Sequence, residues 1–361
     1  VLEKTLCEEE RVCPQCLGQM NDIGKDVSRR LKIIPARFVV EETHVHKYAC
    51  KHCQEQDITT PVKAARTEPP VIKGSIATAE AIAHIMTQKY VMYSPLYRQE
   101  QEYLRAGVPL SRQTMSNWLL KAAADWLQPV YERMKTELLQ QDILHADETT
   151  LQVLHEPGKK AQSKSYIWLY RTGRDAPQQL VLYEYQDSRR AAHPEDFLRE
   201  FKGYLHADGY AAYYKIPDIT VAACWAHVRR KYEEALQGTS KNAADKLTNI
   251  QIGKQYCDRL FAIESEINGL TPDERLQKRK EMAEPLLKEF QDWVFHVNDG
   301  AKSLLGKAAH YTREQWPWLT TCLSDGRLEI SNNRAERSIK PFVMGRKNFL
   351  FANVPKGAEA S

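Results

Sequence analysis

The tetrapeptide Leu-His-Ala-Asp occurs twice in this chain, beginning at Leu144 and again 61 positions later at Leu205. Each copy ends a short apolar run, in a region where helical spacing gives way to the patterns of strands. Two matching strands that both end on an aspartate constrain the fold, because the sheet must place both carboxylates where they are tolerated. The repeat therefore indicates a sheet in which Asp147 and Asp208 hold related positions.

The order of elements after residue 141 predicts the fold class. It reads β-β-β-α-β-α-β-α, with the first three strands forming a meander and helices beginning at His193 and Trp225. This order is typical of an α/β domain with a ribonuclease H-like core. The predicted strands are residues 142–147, 166–170, 180–185, 204–208 and 220–224.

The matched aspartates predict a metal site. If the first and fourth strands are neighbours, Asp147 and Asp208 lie side by side and repel each other unless they are protonated or bridged by a cation. Oxygen ligands favour Mg²⁺ or Mn²⁺, and a pair of such ions can activate the attacking oxygen and stabilise the leaving oxygen of a phosphodiester. The alternative is that each aspartate caps the turn or helix after its strand. The occurrence of two copies favours metal binding.

A third carboxylate for such a site must come from later in the chain. Residues 233–320 are helical and mixed in charge, so their acids are expected to be solvated. After Gly326 the sequence is denser in Arg and Asn, and Ser331 or Asn332 can cap a helix that carries Glu336 in its first turns. A carboxylate among arginines is either a salt-bridged surface residue or a metal ligand next to the phosphates of a bound nucleic acid. The residues alone leave both interpretations open.

Two of the cysteine spacings predict structural zinc. Cys13-Pro-Gln-Cys16 and Cys50-Lys-His-Cys53 are CxxC pairs. Four thiolates complete the tetrahedral shell that Zn²⁺ prefers. The alternatives are a redox pair or disulfides, but no βαβ pattern accompanies these residues and a cytoplasmic setting disfavours disulfides.

Residues 75–140 have helical spacing. One helix is predicted to end at Gly107, and Ser111 is predicted to cap the next. A short glycine-containing turn between two helices is the layout of a helix-turn-helix DNA reader, although an ordinary helical bundle has the same pattern. The residues expected to face DNA on the second helix are Arg112, Gln113 and Asn117.

Composition excludes some classes of protein. The 361 residues include 51 basic and 47 acidic ones, a net charge of +4 that does not by itself demand nucleic acid. No run of about 18 apolar residues predicts a membrane span, and the N-terminus lacks the apolar core of a signal peptide, so we expect a cytoplasmic protein. Because the chain starts at Val1 and stops after GAEAS, we expect it to be a piece of a longer product.

Four blocks of sequence resemble the insertion-sequence 66 family of bacterial DDE transposases. They are DETT at Asp147, DGYAAY at Asp208, CWAHVRRKYEEA at Cys224 and SNNRAERSIKPFVMGRKNFLF at Ser331. The N-terminal CxxC pairs and the helical region resemble the same family, whose members also carry a coiled coil before the zinc segment and a tail after a GAEAS-like stretch. Neither is contained in this sequence.

The resemblance implies a catalytic triad of Asp147, Asp208 and Glu336, with a helical insertion between the second and third acids. It also makes Cys224-Trp-Ala-His227 similar to a CxxH element, which predicts that His227 lies near DNA, although both residues could equally pack in a core. Metal ions held by the triad are expected to activate water for cleavage at an element end, after which the freed 3′ hydroxyl attacks target DNA.

The expected partners are double-stranded DNA (element ends and target), further copies of the chain in the DNA complex, and possible accessory proteins of the same element. Basic side chains should neutralise backbone phosphates, so that binding weakens steeply with salt. Two other functions stay open: a metal-dependent nuclease or resolvase on the same fold, and a noncatalytic DNA-binding regulator. The predicted contacts to DNA after the second acid are His227, Arg229, Arg230, Asn332, Asn333, Arg334, Arg337, Lys340, Arg346 and Lys347.

These observations predict six segments along the chain. They are a zinc-binding segment (1–60), a linker (61–74), a helix-turn-helix-like region (75–140), the first part of the ribonuclease H-like core (141–232), a helical insertion (233–320), and the last part of the core with the third acid (321–361).

Overall fold

The structure is a computed structural model, which describes residues 4–31, 37–57, 59–238, 244–298, 300 and 302–361. The chain separates into two compact units, Val1–His44 and Val45–Ser361. In the first unit, a 3₁₀ turn at Glu9–Arg11 precedes an antiparallel bridge between Val12 and Gln19, which closes the first CxxC turn. None of the described residues of this unit is buried.

The second unit begins with a small hairpin. Strand β1 (Lys47–Ala49) pairs antiparallel with β2 (Val62–Ala64), and helix α1 (Lys51–Glu55) lies between them. The β2 residues fall inside the segment predicted to be a linker. A strand of three residues is too short to show an alternating pattern, so its sequence alone does not predict it.

Four helices follow: α2 (Ala79–Met86), α3 (Leu96–Arg105), α4 (Arg112–Ala122) and α5 (Gln128–Leu139). Their ends agree with the sequence signals. Gly107 follows α3 with a φ of 83°, a left-handed conformation that favours glycine. The Ser111 hydroxyl accepts a hydrogen bond from the backbone N–H of Thr114 at 3.1 Å and so caps α4, as predicted.

A mixed five-stranded sheet forms the centre of the second unit, and its strand order is β5-β4-β3-β6-β7. The first three strands are an antiparallel meander, as predicted, whereas β6 is parallel to β3 and β7 is parallel to β6. All five predicted strands are present, so the chain is an α/β protein with a mixed sheet. The strands are β3 (Ile143–Gln152), β4 (Lys164–Thr172), β5 (Val181–Gln186), β6 (Gly203–Ala207) and β7 (Ile219–Ala223).

One predicted helix of the core is wrong. Helix α6 (Ala192–Phe197) connects β5 to β6, but the connection from β6 to β7 contains only a 3₁₀ turn at Tyr213–Lys215. Pro217 and Asp218 interrupt that connection, and Asp218 has a φ of 62°. Tyr213 of this turn is fully buried in the core on one face of the sheet, so the turn covers part of that face without a helix.

Helices cover both faces of the sheet. On one face, α5 and α6 pack against a core that includes Tyr170 and Leu205. On the other face lies α12 (Asn333–Phe349), whose Ala335 and Ile339 pack on Leu169 of β4. Leu169 and Tyr170, neighbours in β4, therefore point to opposite faces of the sheet, as a pleated strand requires.

Between β7 and α12 the chain is helical, as predicted for residues 233–320. These helices share a second core built around Trp225, Tyr232, Phe290 and Trp316. Within the described ranges, no helix is both long and apolar enough to span a bilayer. The helices are α7 (Trp225–Gly238), α8 (Ala244–Glu266), α9 (Pro272–Lys278), α10 (Glu284–His296) and α11 (Leu304–Leu319), and α13 (Pro355–Glu359) follows α12.

Candidate active site

Asp147 and Asp208 lie at the same level on neighbouring strands. β3 and β6 pair in parallel with Leu144 opposite Leu205, so the 61-residue offset of the repeat is also the register of the pair. Each aspartate lies three residues beyond that matched pair. The prediction that the first and fourth strands are neighbours is confirmed.

Each aspartate also accepts a local hydrogen bond. The Oδ1 of Asp147 accepts from the backbone N–H of Glu148 at 2.8 Å, and the Oδ1 of Asp208 accepts from that of Tyr210 at 3.3 Å. Gly209 has a φ of 98°, and an added Cβ would lie 3.2 Å from the Tyr311 hydroxyl. The local turn interactions expected of aspartate are thus present. They use only Oδ1 of each carboxylate, so Oδ2 does not take part in them.

The third acid reaches the same place from α12. Burial, followed by the negative charges of Asp208, Glu148 and Glu336, raises the pKa of Asp147 to about 7. The charge of Glu336 is the last of these causes, so α12 brings Glu336 within electrostatic reach of Asp147. We refer to Asp147, Asp208 and Glu336 as the carboxylate cluster. The sheet therefore aligns the two aspartates, and a metal site shared by all three acids stays a prediction.

Two basic side chains of α7 approach Glu336. The Nε2 of His227 and the Nη2 of Arg230 each lie 3.8 Å from its Oε1. Burial lowers the pKa of His227, while the charges of Asp208 and Glu336 oppose that change. His227, which the CxxH spacing singled out, therefore lies at the carboxylate cluster, whereas Cys224 is buried and accepts a hydrogen bond from the backbone N–H of Asn332 at 3.1 Å.

Asn332 is only 1% exposed, so the prediction that it contacts DNA is wrong. Its Oδ1 lies 3.0 Å from the Nδ1 of His145, and its Nδ2 donates to the carbonyl of Ala146 at 2.8 Å. It stands at the N-cap position of α12 without capping through its side chain, so the expected cap is also absent. The side chain instead ties the start of α12 to β3, one residue before Asp147.

Glu329 extends this buried network. Its Oε2 lies 3.1 Å from the Nε2 of His145, and it accepts from the Nε of Arg334 at 2.7 Å. The backbone N–H of Glu329 donates to the Nε2 of His206 at 3.2 Å. Both histidines of the repeated tetrapeptide are therefore fully buried anchors for the segment that leads into α12.

The carboxylate cluster fits divalent cations by its chemistry. Asp147, Asp208 and Glu336 offer only oxygen ligands, which Mg²⁺ and Mn²⁺ prefer. Burial is the main cause of the raised pKa of Asp147, and the part that comes from neighbouring carboxylates is a repulsion that a bound cation would relieve. Among the described residues, no group of three or more His, Cys, Asp or Glu side chains is already arranged around a metal position. The case for a divalent cation therefore rests on the oxygen ligands and on the negative charges of these acids.

Two family models match the chain. A model of the zinc-finger binding domain of transposase IS66 matches residues 10–54, and the model of the transposase IS66 family matches residues 74–360. The chain belongs to the IS66 family of transposases. The resemblance inferred from the four sequence blocks is thereby confirmed.

Individual relatives give the same picture. The uncharacterized proteins y4jD and y4hP of Sinorhizobium fredii are each 31% identical to this transposase over 97% and 99% of its length, which correspond to 69% and 66% of their own. The chain thus spans about two thirds of the relatives that it matches. A chain of the Drosophila P element transposase strand transfer complex aligns with 80% of this chain and 91% of its own, with a TM-score of 0.44 and 11% sequence identity.

The other predicted DNA contacts of this transposase differ in their surroundings. Arg230, Arg337, Lys340 and Lys347 are exposed, and Asn333 is half-buried at the start of α12. By contrast, three arginines are engaged within the chain. Arg334 binds Glu329, Arg229 donates to Asp258 at 2.6 Å, and Arg346 donates to the Thr149 hydroxyl at 2.9 Å.

The predicted reading surface of α4 is exposed. Gln113 donates to Asn117 at 3.0 Å, and the Arg112 guanidinium lies 5.7 Å from the centre of the Tyr97 ring on α3. Met115 and Trp118 of the same helix are buried. The helix therefore has a buried apolar face and an exposed polar face, as either a DNA reader or a bundle helix would.

The two CxxC turns are preformed for thiolates, each within its own unit. Hydrogen bonds from the backbone N–H groups of Cys16 and Gln15 lower the pKa of Cys13. In the second unit, the backbone N–H of Cys53 lowers the pKa of Cys50 in the same way. Amides that point at sulfur stabilise the ionised form that Zn²⁺ requires. The four-thiolate site itself stays a prediction.

Three residues were missed by sequence reasoning: Glu148 and Arg189 beside the carboxylate cluster, and Glu329 in the buried network at His145. Glu148 directly follows Asp147 and is held by Arg189. The sequence does contain a signal for Glu148, because it directly follows a predicted apolar strand. A buried carboxylate requires a cationic or hydrogen-bonding partner. Glu329 gave no comparable signal, since several acids of the same segment are exposed or paired with neighbours in sequence.

Proposed function

We propose that this transposase is a metal-dependent DDE enzyme, in which Asp147, Asp208 and Glu336 bind catalytic divalent cations. The observation that carries the proposal is the shared register of the two aspartates on adjacent parallel strands, with the charge of Glu336 acting on the same site. The proposed reaction is cleavage at the ends of the mobile element followed by strand transfer into target DNA.

The sheet supports a ribonuclease H-like core for this reaction. Its antiparallel meander continues into two parallel strands; Asp147 lies in the middle of β3, and Asp208 directly follows the neighbouring β6. We take residues 233–320, the end of α7 together with α8–α11, as the helical insertion between the second and third acids, and α12 as the element that returns the third acid to the sheet. The six segments predicted from sequence are proposed as the domain organisation on this basis.

The chain's own groups have distinct tasks in this scheme. When bound, Mg²⁺ or Mn²⁺ would activate the attacking oxygen and stabilise the leaving one. Asp147 and Asp208 hold fixed positions because their strands are paired, and His227 stands next to Glu336, where it can orient that carboxylate. Arg230, Arg337, Lys340 and Lys347 are exposed and can neutralise DNA phosphates.

We also propose structural roles outside the core. The cysteines of the two CxxC pairs are proposed as zinc ligands, as the sequence predicts, and α4 is proposed to contact the DNA duplex. The protein partners proposed from the family are further copies of the chain and accessory proteins of the same element. Arg229, Arg334 and Arg346 are proposed to act on DNA only indirectly, because they already bind groups within the chain.

The proposal is tested with labelled duplexes that carry element ends, incubated with the chain in Mg²⁺ or Mn²⁺ beside an Asp208→Asn variant. Nicking and strand joining are scored separately. Joined products that disappear in the variant are the expected result. Nicking without joining would support a nuclease or resolvase, and binding without either reaction would support a regulator.

A further inference from the structure

We propose that Arg189 binds a DNA phosphate beside the carboxylate cluster and that Glu148 is the residue that positions it there. This inference rests on the proposed function and adds a contact to it, on the loop between β5 and α6. No sequence block singled out this loop.

The first observation is the ion pair between the two residues. Glu148 has a side chain only 4% exposed, and its Oε1 accepts a hydrogen bond from the Nε of Arg189 at 2.7 Å and a second contact from Nη2. The Tyr213 hydroxyl donates to the other oxygen of Glu148 at 3.4 Å. A buried carboxylate is tolerated when it is paired and hydrogen-bonded, so this pair fixes the guanidinium in one orientation.

The second observation comes from the other acid-bearing strand. Tyr210 lies two residues after Asp208, and its backbone N–H donates to that carboxylate. The Arg189 guanidinium lies over the Tyr210 ring at 4.3 Å from its centre, and the Tyr210 hydroxyl donates to the Arg189 carbonyl. The guanidinium is therefore held by the residue after Asp147 and by the turn after Asp208, which places it beside the cluster.

The third observation is that part of the Arg189 guanidinium is exposed and has a donor without a partner among the described residues. Arg189 is 43% exposed at its side chain, and no described residue accepts a hydrogen bond from its Nη1. An arginine has five donors in a planar fork that matches the oxygens of a phosphate. The neighbouring carboxylates repel a phosphodiester, so a cation that is fixed between their strands is suited to bind one. A lysine would keep the positive charge beside Glu148, but it lacks this fork.

The test measures DNA binding in an Asp208→Asn background, so that the duplex stays intact. Labelled element-end duplexes carry a single neutral methylphosphonate linkage at each position around the cleavage point. With Arg189 present, we expect one or two linkages to weaken binding roughly 10-fold. The Arg189→Ala variant should bind unmodified DNA as weakly as the Arg189-containing chain binds DNA with a sensitive methylphosphonate. The same methylphosphonates should not weaken binding by the variant any further.

The controls separate a phosphate contact from a structural role. Arg199→Ala removes an exposed arginine that pairs with Asp196, and it should retain the sensitivity at every linkage. Arg189→Lys should keep the melting temperature but not the binding. If Arg189→Ala unfolds the chain, the double variant with Glu148→Gln removes the unpaired buried charge and allows the same scan.

Two results would overturn the inference: no linkage that weakens binding when Arg189 is present, or unchanged sensitivity at every linkage in Arg189→Ala. The scan does not depend on cleavage. If the unaltered chain neither nicks nor joins DNA, the proposed function fails, while the methylphosphonate scan still decides whether Arg189 contacts a phosphate.

Discussion

The imidazole rings of His145 and His206 stack with their centres 4.2 Å apart and their planes 16° from parallel. Each ring precedes a proposed metal ligand by two residues in its strand. Burial, followed by the proximity of His145, lowers the pKa of His206 well below its ordinary value, so His206 is neutral and its Nε2 can accept the N–H of Glu329. The stacked pair thus joins both acid-bearing strands to the segment that leads into α12.

The first prediction concerns Glu336. Glu336→Gln removes a charged ligand and should lower cleavage by roughly 100-fold or more, because a bound cation contributes several kcal/mol of transition-state stabilisation. DNA affinity should not fall, since the substitution removes a negative charge that repels phosphate. Single-turnover cleavage and binding are measured on the same duplex, with Glu289→Gln as a control for an exposed, paired carboxylate. Equal loss of both activities would argue that Glu336 is structural.

The second prediction concerns Asn332. Asn332→Ala leaves the Nδ1 of His145 and the Ala146 carbonyl without their buried partner, which should lower the free energy of unfolding by about 1–3 kcal/mol. It should also raise the Mg²⁺ concentration needed for half-maximal cleavage, because α12 loses its tie to β3. Denaturant unfolding and a metal titration test both effects. Asn348→Ala, on the exposed part of the same helix, should change neither.

The third prediction is a pH dependence of stability. Burial works to raise the pKa of Glu329, but hydrogen bonds from His145 and Arg334 outweigh it and hold the pKa well below its ordinary value. A carboxyl with a depressed pKa in the folded state contributes stability above its unfolded pKa of about 4.3, and this contribution is lost as the pH falls toward the folded pKa.

Glu329→Gln should therefore destabilise the chain most at neutral pH, and the difference from the unaltered chain should shrink as the pH is lowered below about 4.3. Denaturant unfolding across this range measures the difference. Glu289→Gln makes the same change of charge at an exposed site and should give a nearly constant, small difference. A constant difference for Glu329→Gln would show that its carboxylate does not carry this stability.

Much of the site could be predicted from the sequence because the relevant signals are local. The repeat specifies the register of β3 against β6 directly, since the spacing of the two copies and the offset of the paired residues are the same number, 61. The third acid was placed on the first turn of a helix, and it is found there.

The errors fall where a residue's surroundings are set by distant parts of the chain. Asn332 was interpreted as a DNA contact because it lies among arginines, yet its partners His145 and Ala146 lie far earlier in sequence. The pairing of Glu148 with Arg189, 41 residues apart, is invisible to any periodicity for the same reason. β2 was missed because its partner strand, and not its own three residues, defines it.

The last prediction concerns zinc. None of the described residues in the first unit is buried, so those residues form no apolar core, and segments of this size usually need a metal or cross-links to hold a fold. Cys13→Ser should therefore abolish stoichiometric zinc and make the N-terminal segment sensitive to proteolysis. Zinc content is measured by mass spectrometry beside Cys7→Ser, which alters an exposed cysteine outside the CxxC pairs and should leave zinc in place. Zinc retained by Cys13→Ser would rule out the four-thiolate site, because a tetrahedral site that loses one of four thiolates loses most of its affinity.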